Sequence, residues 1–197
     1  ETLGITLLRV DEAVMARLAA LKALHKLDLS RTGIAEGLLD GFKKLTGLRL
    51  LNLSGTGVSD RSLVYLKGLT EMRTLDLGCT RVTGSAIAQL DGMKKLRRLH
   101  LWQTPFTDPG MTHLGALTAL EDVSLRGTQI SDAGLAGLAN LTHLQSLDLA
   151  ELKITDAGLG RLSSLTRLQS LTLAGSKITG AGLVHLKGME SLKSLDL

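Results

Sequence analysis

Three stretches decide the fold: TQISDAGLAGLANL at 128–141, LKITDAGLGRLSSL at 152–165 and SKITGAGLVHLKGM at 176–189. Each begins 24 residues after the one before. Their shared aliphatic residue can be followed backwards at the same step through Ile178, Ile154, Ile130, Phe106, Val82, Val58, Ile34 and Val10, with no insertion or deletion. A fixed period in this range is the mark of a repeat array, so residues 1–197 read as a single domain of eight units.

Every unit switches its own periodicity once. Leu24, Leu27 and Leu29, echoed by Leu120, Val123 and Leu125 and by Leu144, Leu147 and Leu149, have the spacing of a short half-buried strand. Leu135, Leu138 and Leu141 then fall three apart, along one face of a short helix. Ser59, Thr83, Thr107, Ser131, Thr155 and Thr179 stand where a hydroxyl caps that helix, usually with Asp following to meet its positive end. Pro109 sits in the first turn, where a missing N–H does no harm. One such unit cannot bury its own apolar face and must stack on its neighbours. The expected fold is therefore an α/β right-handed solenoid. It is a horseshoe arc with a parallel β-sheet on the concave face and short helices on the wider, convex one.

The composition agrees with layered packing. Aromatic residues are only 2% of the chain, so aliphatic groups must build the core. Cys79 is alone, which rules out an intrachain disulfide and leans towards a reducing, cytoplasmic setting, with a secreted or cell-surface one left open. The sequence holds neither a long apolar run nor a recognisable leader, and the missing initiator Met suggests a trimmed segment. Residues 1–98 carry 16 Lys/Arg against 10 Asp/Glu, and residues 99–197 carry 7 against 9, an asymmetry able to steer a charged partner.

The pattern in LHKLDLSRT, LRLLNLSGT and LEDVSLRGT resembles the leucine-rich repeat, and the TDAGL segments resemble its bacterial and cysteine-containing-like subtypes in the ribonuclease-inhibitor-like superfold. The resemblance covers the whole chain and implies a fold rather than one function. Where the family usually has Asn or Cys after the strand, this chain has Thr32, Thr56, Thr80, Thr104, Thr128, Leu152 and Ser176. The Thr hydroxyls are expected to form a ladder to buried turn amides. Leu152 cannot join it, which predicts a local break there. Leu3 and Ile5 at one end, and Leu195 and Leu197 at the other, look uncapped, which suggests that flanking sequence has been removed.

Residues between the strand leucines face away from the core and write out the inner surface. One column reads Lys26, Leu50, Thr74, Arg98, Asp122, Ser146, Ser170, Ser194. A second reads Asp28, Asn52, Asp76, His100, Ser124, Asp148, Thr172, Asp196. The third reads Ser30, Ser54, Gly78, Trp102, Arg126, Ala150, Ala174, with Cys79, Gln103 and Glu151 among its flanking residues. Trp102, the only tryptophan, thus falls in a solvent-facing column, whereas Phe42 and Phe106 fall in the core and Tyr65 on the outer helix surface. Gly78 leaves room beside the indole, and Arg126 lies one coil along, within reach of a cation–π contact. An exposed Trp beside Arg has the composition of an interface hot spot. The competing reading is a Trp102 that lies flat on its neighbours and fills a shallow groove.

Asp76, His100 and Ser124 stand in successive coils and spell a hydrolase triad. Parallel side chains on one sheet, without an oxyanion hole or exclusion of water, argue against catalysis. Asp76 is expected instead to favour a charged His100, which leaves two readings, an ordinary surface histidine and a residue that makes binding sensitive to pH. Arg98 and Asp122 read as a cross-strand ion pair, with Asp148 and Glu151 adding an acidic edge. Lys43, Lys44, Arg49, Lys67, Arg73, Lys94, Lys95 and Arg97 gather at the helix-to-strand corners. Without interleaved aromatics they are a weak footprint for nucleic acid or anionic membrane. No phosphate-binding loop appears, the histidines lack metal-ligand spacing, and no cofactor is implied. The sequons at Asn52 and Asn140 read as accidental spelling.

The sequence therefore points to a non-catalytic module that binds another protein in its concavity. Its candidate contacts are Trp102, Arg126, His100, Arg98, Gln103, Asp76, Asp122, Asp148 and Glu151. The alternative is a spacer or self-assembly segment of a larger protein, associating end to end through Leu3, Ile5, Leu195 and Leu197. A third reading makes it a docking segment for an enzyme carried on flanking domains.

Overall fold

The computed structural model describes the backbone of residues 2–4 and residues 10–197 in full. Among the described residues, nine three-residue strands form one parallel sheet in chain order: β1 (Thr2–Gly4), β2 (Lys26–Asp28), β3 (Leu50–Asn52), β4 (Thr74–Asp76), β5 (Arg98–His100), β6 (Asp122–Ser124), β7 (Ser146–Asp148), β8 (Ser170–Thr172) and β9 (Ser194–Asp196). Each strand residue pairs with the one 24 positions away, without a slip, from Thr2 opposite Lys26 to Thr172 opposite Asp196. Neighbouring strands pair in parallel only through a crossover, which strand twist makes right-handed.

Helical segments cover the other side of the core: Glu12–Ala20, Asp60–Leu63, Asp108–Leu114 and Asp156–Leu159 are α-helical, and the others are tighter. Glu36–Lys44, Gly84–Leu90, Gly134–Leu138 and Gly182–Leu186 are 3-10 helices. The cause is visible in the leucine spacing: residues exactly one 3-10 turn apart, such as Leu135 and Leu138, both point into the core and are fully buried. Leu27, Leu51, Leu75, Leu99, Val123, Leu147 and Leu171, one from each strand from β2 to β8, stack behind the sheet at 0–1% exposure. Phe42 and Phe106 lie in the same core. Tyr65, expected on the outside, is half-buried and packs against it, with the Lys43 ammonium 5.0 Å above its ring. The side chain of Leu3 and the whole of Ile5 lie outside the described residues.

The turn after each strand differs from its predicted form. The hydroxyls of Thr32, Thr56, Thr80, Thr104 and Thr128 donate to the carbonyl three residues earlier, at 2.5–2.6 Å. They close their own turn rather than bond to amides across the coils. The expected break at Leu152 accordingly does not occur: Leu152 is buried and β7 pairs with β8 in unbroken register. The hydroxyl it lacks closes only its own turn in the other coils, so its absence breaks no bond between coils.

The helix-start hydroxyls also turn sideways. Ser131, Thr155 and Thr179 donate to Asp108, Asp132 and Asp156 of the preceding coil at 2.5–2.6 Å, and Thr83 donates to Asp60 in the same way. The same carboxylates accept the backbone N–H of those residues at 2.6–2.8 Å. A Cβ at Gly134, Gly158 or Gly182 would collide with the carboxylates of Asp108, Asp132 or Asp156. The repeated Asp-Ala-Gly spelling is therefore a stitch between coils, with Asp from one coil and Ser/Thr and Gly from the next. Asp132→Ala leaves the Thr155 N–H and hydroxyl without their acceptor, and chemical denaturation should show a loss of about 1–2 kcal/mol.

Candidate functional site

The open face of β4 to β7 brings most of the predicted residues together. Register sets Asp76 beside His100, His100 beside Ser124 and Ser124 beside Asp148, while Arg98 adjoins Asp122 and Asp122 adjoins Ser146. A groove of about 600 Å³ opens here, lined by His100, Trp102, Gln103, Asp122, Ser124, Arg126, Ser146 and Asp148. Arg98, Asp76 and Glu151, also predicted contacts, lie beside the groove and act on its lining. Ser124 and Ser146 are lining residues that sequence reasoning listed on the inner face without assigning to the patch.

Trp102 is half-buried rather than fully exposed. Its indole lies flat on Gly78 of the previous coil, where any Cβ would overlap Cε2 and Nε1. Gly78 thus seats the ring, and the remaining face of the indole forms part of the groove. This arrangement combines the two sequence readings: the ring fills a shallow hollow and still borders the open groove.

The expected cation–π contact between Arg126 and Trp102 is absent among the described residues. Arg126 turns the other way, donating from Nη2 at 2.6 Å and Nε at 3.2 Å to Glu151. A full carboxylate one coil on outcompetes the weaker quadrupole of the ring. Glu151 also accepts from Gln103 Nε2 at 2.7 Å, two coils away. That reach passes over Gly127, where a Cβ would overlap the Gln103 amide. The clamp therefore closes one side of the groove. Arg126 holds the Glu151 carboxyl below its usual range, with Gln103 assisting.

Both anchors of this clamp, Gln103 and Glu151, have left-handed backbone, with φ of 54° and 61°. The conformation costs a non-glycine residue roughly 1–2 kcal/mol. It is held by the sheet ladder, which continues past the strands: Gln103 N–H donates to the Arg126 carbonyl and Glu151 N–H to the Ala174 carbonyl, both at 2.7 Å.

His100 lies between two carboxylates, with Nε2 3.7 Å from Asp122 and Nδ1 3.8 Å from Asp76. Asp122 first, then Asp76, raise its pKa from 6.5 to about 9, against the effect of burial. The imidazole is thus cationic at neutral pH, as Asp76 alone led us to expect in direction, although the proton leaves well above neutrality. A raised folded-state pKa stabilises the fold fully below pH 6.5, and the gain disappears as pH rises through about 9. NMR titration should place the His100 midpoint near 9, and His100→Gln should flatten the stability profile over that interval.

The triad residues do not assemble. Ser124 donates to Asp148 at 3.0 Å, and the second carboxylate at His100 is Asp122. Arg98 stands 4.0 Å from Asp122, a loose ion pair on an exposed side chain. At the corners, Lys43 pairs with Asp40, Lys95 with Glu71 and Arg97 with Glu121, which neutralises part of the basic cluster. Among the described residues no helix is long and apolar enough to cross a membrane, and no group of His, Cys, Asp or Glu is placed to hold a metal ion.

Comparison with known proteins fits this geometry. A family model described as Leucine Rich repeat matches residues 140–163. The chain is similar to the crystal structure of an internalin C2 from Listeria monocytogenes, with 28% identity and a TM-score of 0.83, over 100% of this chain and 80% of that one. It also has the fold of an internalin (inlF) from the same organism, at 20% identity and a TM-score of 0.69, over 98% of this chain and 65% of that one. No curated protein matches the chain.

Proposed function

We propose that this chain, a leucine-rich repeat protein, is a non-catalytic recognition module that binds a partner protein on its concave sheet face. The observation that carries the reading is the groove of about 600 Å³ on the open face of the sheet, bordered by the only tryptophan of the chain. Aromatic and Arg side chains in a recessed, partly desolvated setting are the usual centre of binding energy at protein interfaces. Trp102 supplies the apolar surface, and the Arg126–Glu151–Gln103 clamp fixes one wall so that little order has to be gained on binding. His100, Arg98, Asp76, Asp122 and Asp148 set the charge pattern. The likeness to internalins and the family match support an interaction module; the partner and these contacts are our reading.

Trp102→Ala should reduce capture of the partner at least about tenfold while leaving the melting of the array unchanged. Arg126→Glu, which puts like charges at the clamp, should do the same. Equal capture by wild type and both variants would count against the groove.

A further inference from the structure

Charge on the sheet face changes along the array. Over the first five strands Lys26, Arg31, Arg98 and His100 stand beside Asp28 and Asp76, whereas from β7 onward the columns hold Ser, Thr, Ala and Gly with Asp148, Glu151 and Asp196, and no Lys or Arg. The acidic groups of the groove differ in how they are satisfied. Asp122 has His100 and Arg98, and Glu151 has Arg126. Asp148 has only neutral donors: the Ser124 hydroxyl at 3.0 Å and the Ala150 N–H at 3.0 Å. Among the described residues no cationic nitrogen lies within ion-pair distance of it. Arg126, the cation whose charge it affects, is directed to Glu151 instead.

We propose that the groove between Trp102 and Asp148 receives a Lys or Arg side chain presented by the partner, with its head on the Asp148 carboxylate and its stem along the indole of Trp102. The inference rests on the recognition reading and adds the chemistry of the occupant. Two neutral donors orient Asp148 without cancelling its charge, which leaves a fixed, half-buried anion beside an aromatic face. A cation with an apolar stem complements both, since long basic side chains lay their methylenes on apolar surface while the head seeks charge. An acidic partner group would meet Asp148 unscreened. The flanking residues Ser146, Ser170 and Ala150 are small, so an extended segment can lie across the sheet without steric obstruction.

Asp148→Asn is the informative variant, because the same column already contains an Asn. Asn52 accepts the Ser54 N–H through its side-chain oxygen at 3.0 Å, as Asp148 accepts that of Ala150. The substitution therefore removes charge and keeps the turn. A random peptide display library is selected on the intact chain, with the Trp102→Ala form as counter-target, and selected peptides are titrated against wild type and Asp148→Asn. Selected peptides should be rich in Lys or Arg at one position, and Asp148→Asn should weaken them about tenfold, an effect expected of a charge-assisted contact. Peptides that need Trp102 yet lack a basic residue, or bind Asp148→Asn equally well, would overturn this inference and leave the recognition reading standing. A library from which nothing is selected over the Trp102→Ala form would overturn both.

Discussion

Gly110→Ala should lower stability by about 3 kcal/mol, although alanine is the better helix former by about 1 kcal/mol. Gly110 lies in the Asp108–Leu114 helix, back to back with Gly84 of the preceding coil. A Cβ there would collide with the Gly84 Cα and lie 2.7 Å from Phe106 Cζ. The first obstacle is backbone and the second is a fully buried ring, so neither can swing aside. Relief requires the two coils to separate, which strains the sheet register on the other side of the same core. Gly37→Ala is the matched control. It also sits in a helical segment, but nothing lies within 4 Å of its added carbon, so it should gain about 0.5–1 kcal/mol. Thermal and denaturant melts of the two variants should move in opposite directions; a shared direction would mean that helix propensity, not coil spacing, decides the sign.

Phe106→Ala should cost about 3–5 kcal/mol. Phe106 occupies the column held elsewhere by Val and Ile, and it is completely buried. Its ring uses the space that Gly110 leaves, so truncation opens a cavity between coils whose backbones already touch and cannot close further. Phe106→Ile, the residue of four other coils, should lose less because it keeps most of the volume. In an array where each coil contacts only its neighbours, the damage should be local, and hydrogen exchange should rise first from β4 to β6.

The sheet, its order and its register were legible from the sequence because a 24-residue step without a slip fixes which residues are neighbours. Leu27 to Leu171 and Ile34 to Ile154 lie where that step puts them. Side-chain direction was not legible to the same degree. Arg126 was assigned to Trp102 and found on Glu151, since a map of Cα neighbours does not rank competing partners. Gln103 reaches Glu151 two coils away only because Gly127 has no side chain, a signal present in the glycine column but invisible until the path is seen. The Ser and Thr residues before the helices read as caps, and Ser59, Ser131 and Thr179 do accept a backbone N–H at the start of their own helical segment, but Asp108, Asp132 and Asp156 also draw the hydroxyls of Ser131, Thr155 and Thr179 across to the neighbouring coil. That signal was in the sequence too, as the constant 23-residue interval from Asp to the next hydroxyl.

The most direct test of the concave groove as the recognition surface uses the single tryptophan. With 5-fluorotryptophan incorporated, the chain has one fluorine resonance, from position 102. Adding the captured partner should shift or broaden that resonance in step with complex formation, and Trp102→Phe should weaken the complex. A complex that forms at full strength while the resonance stays where it was in the free chain would contradict binding at this groove.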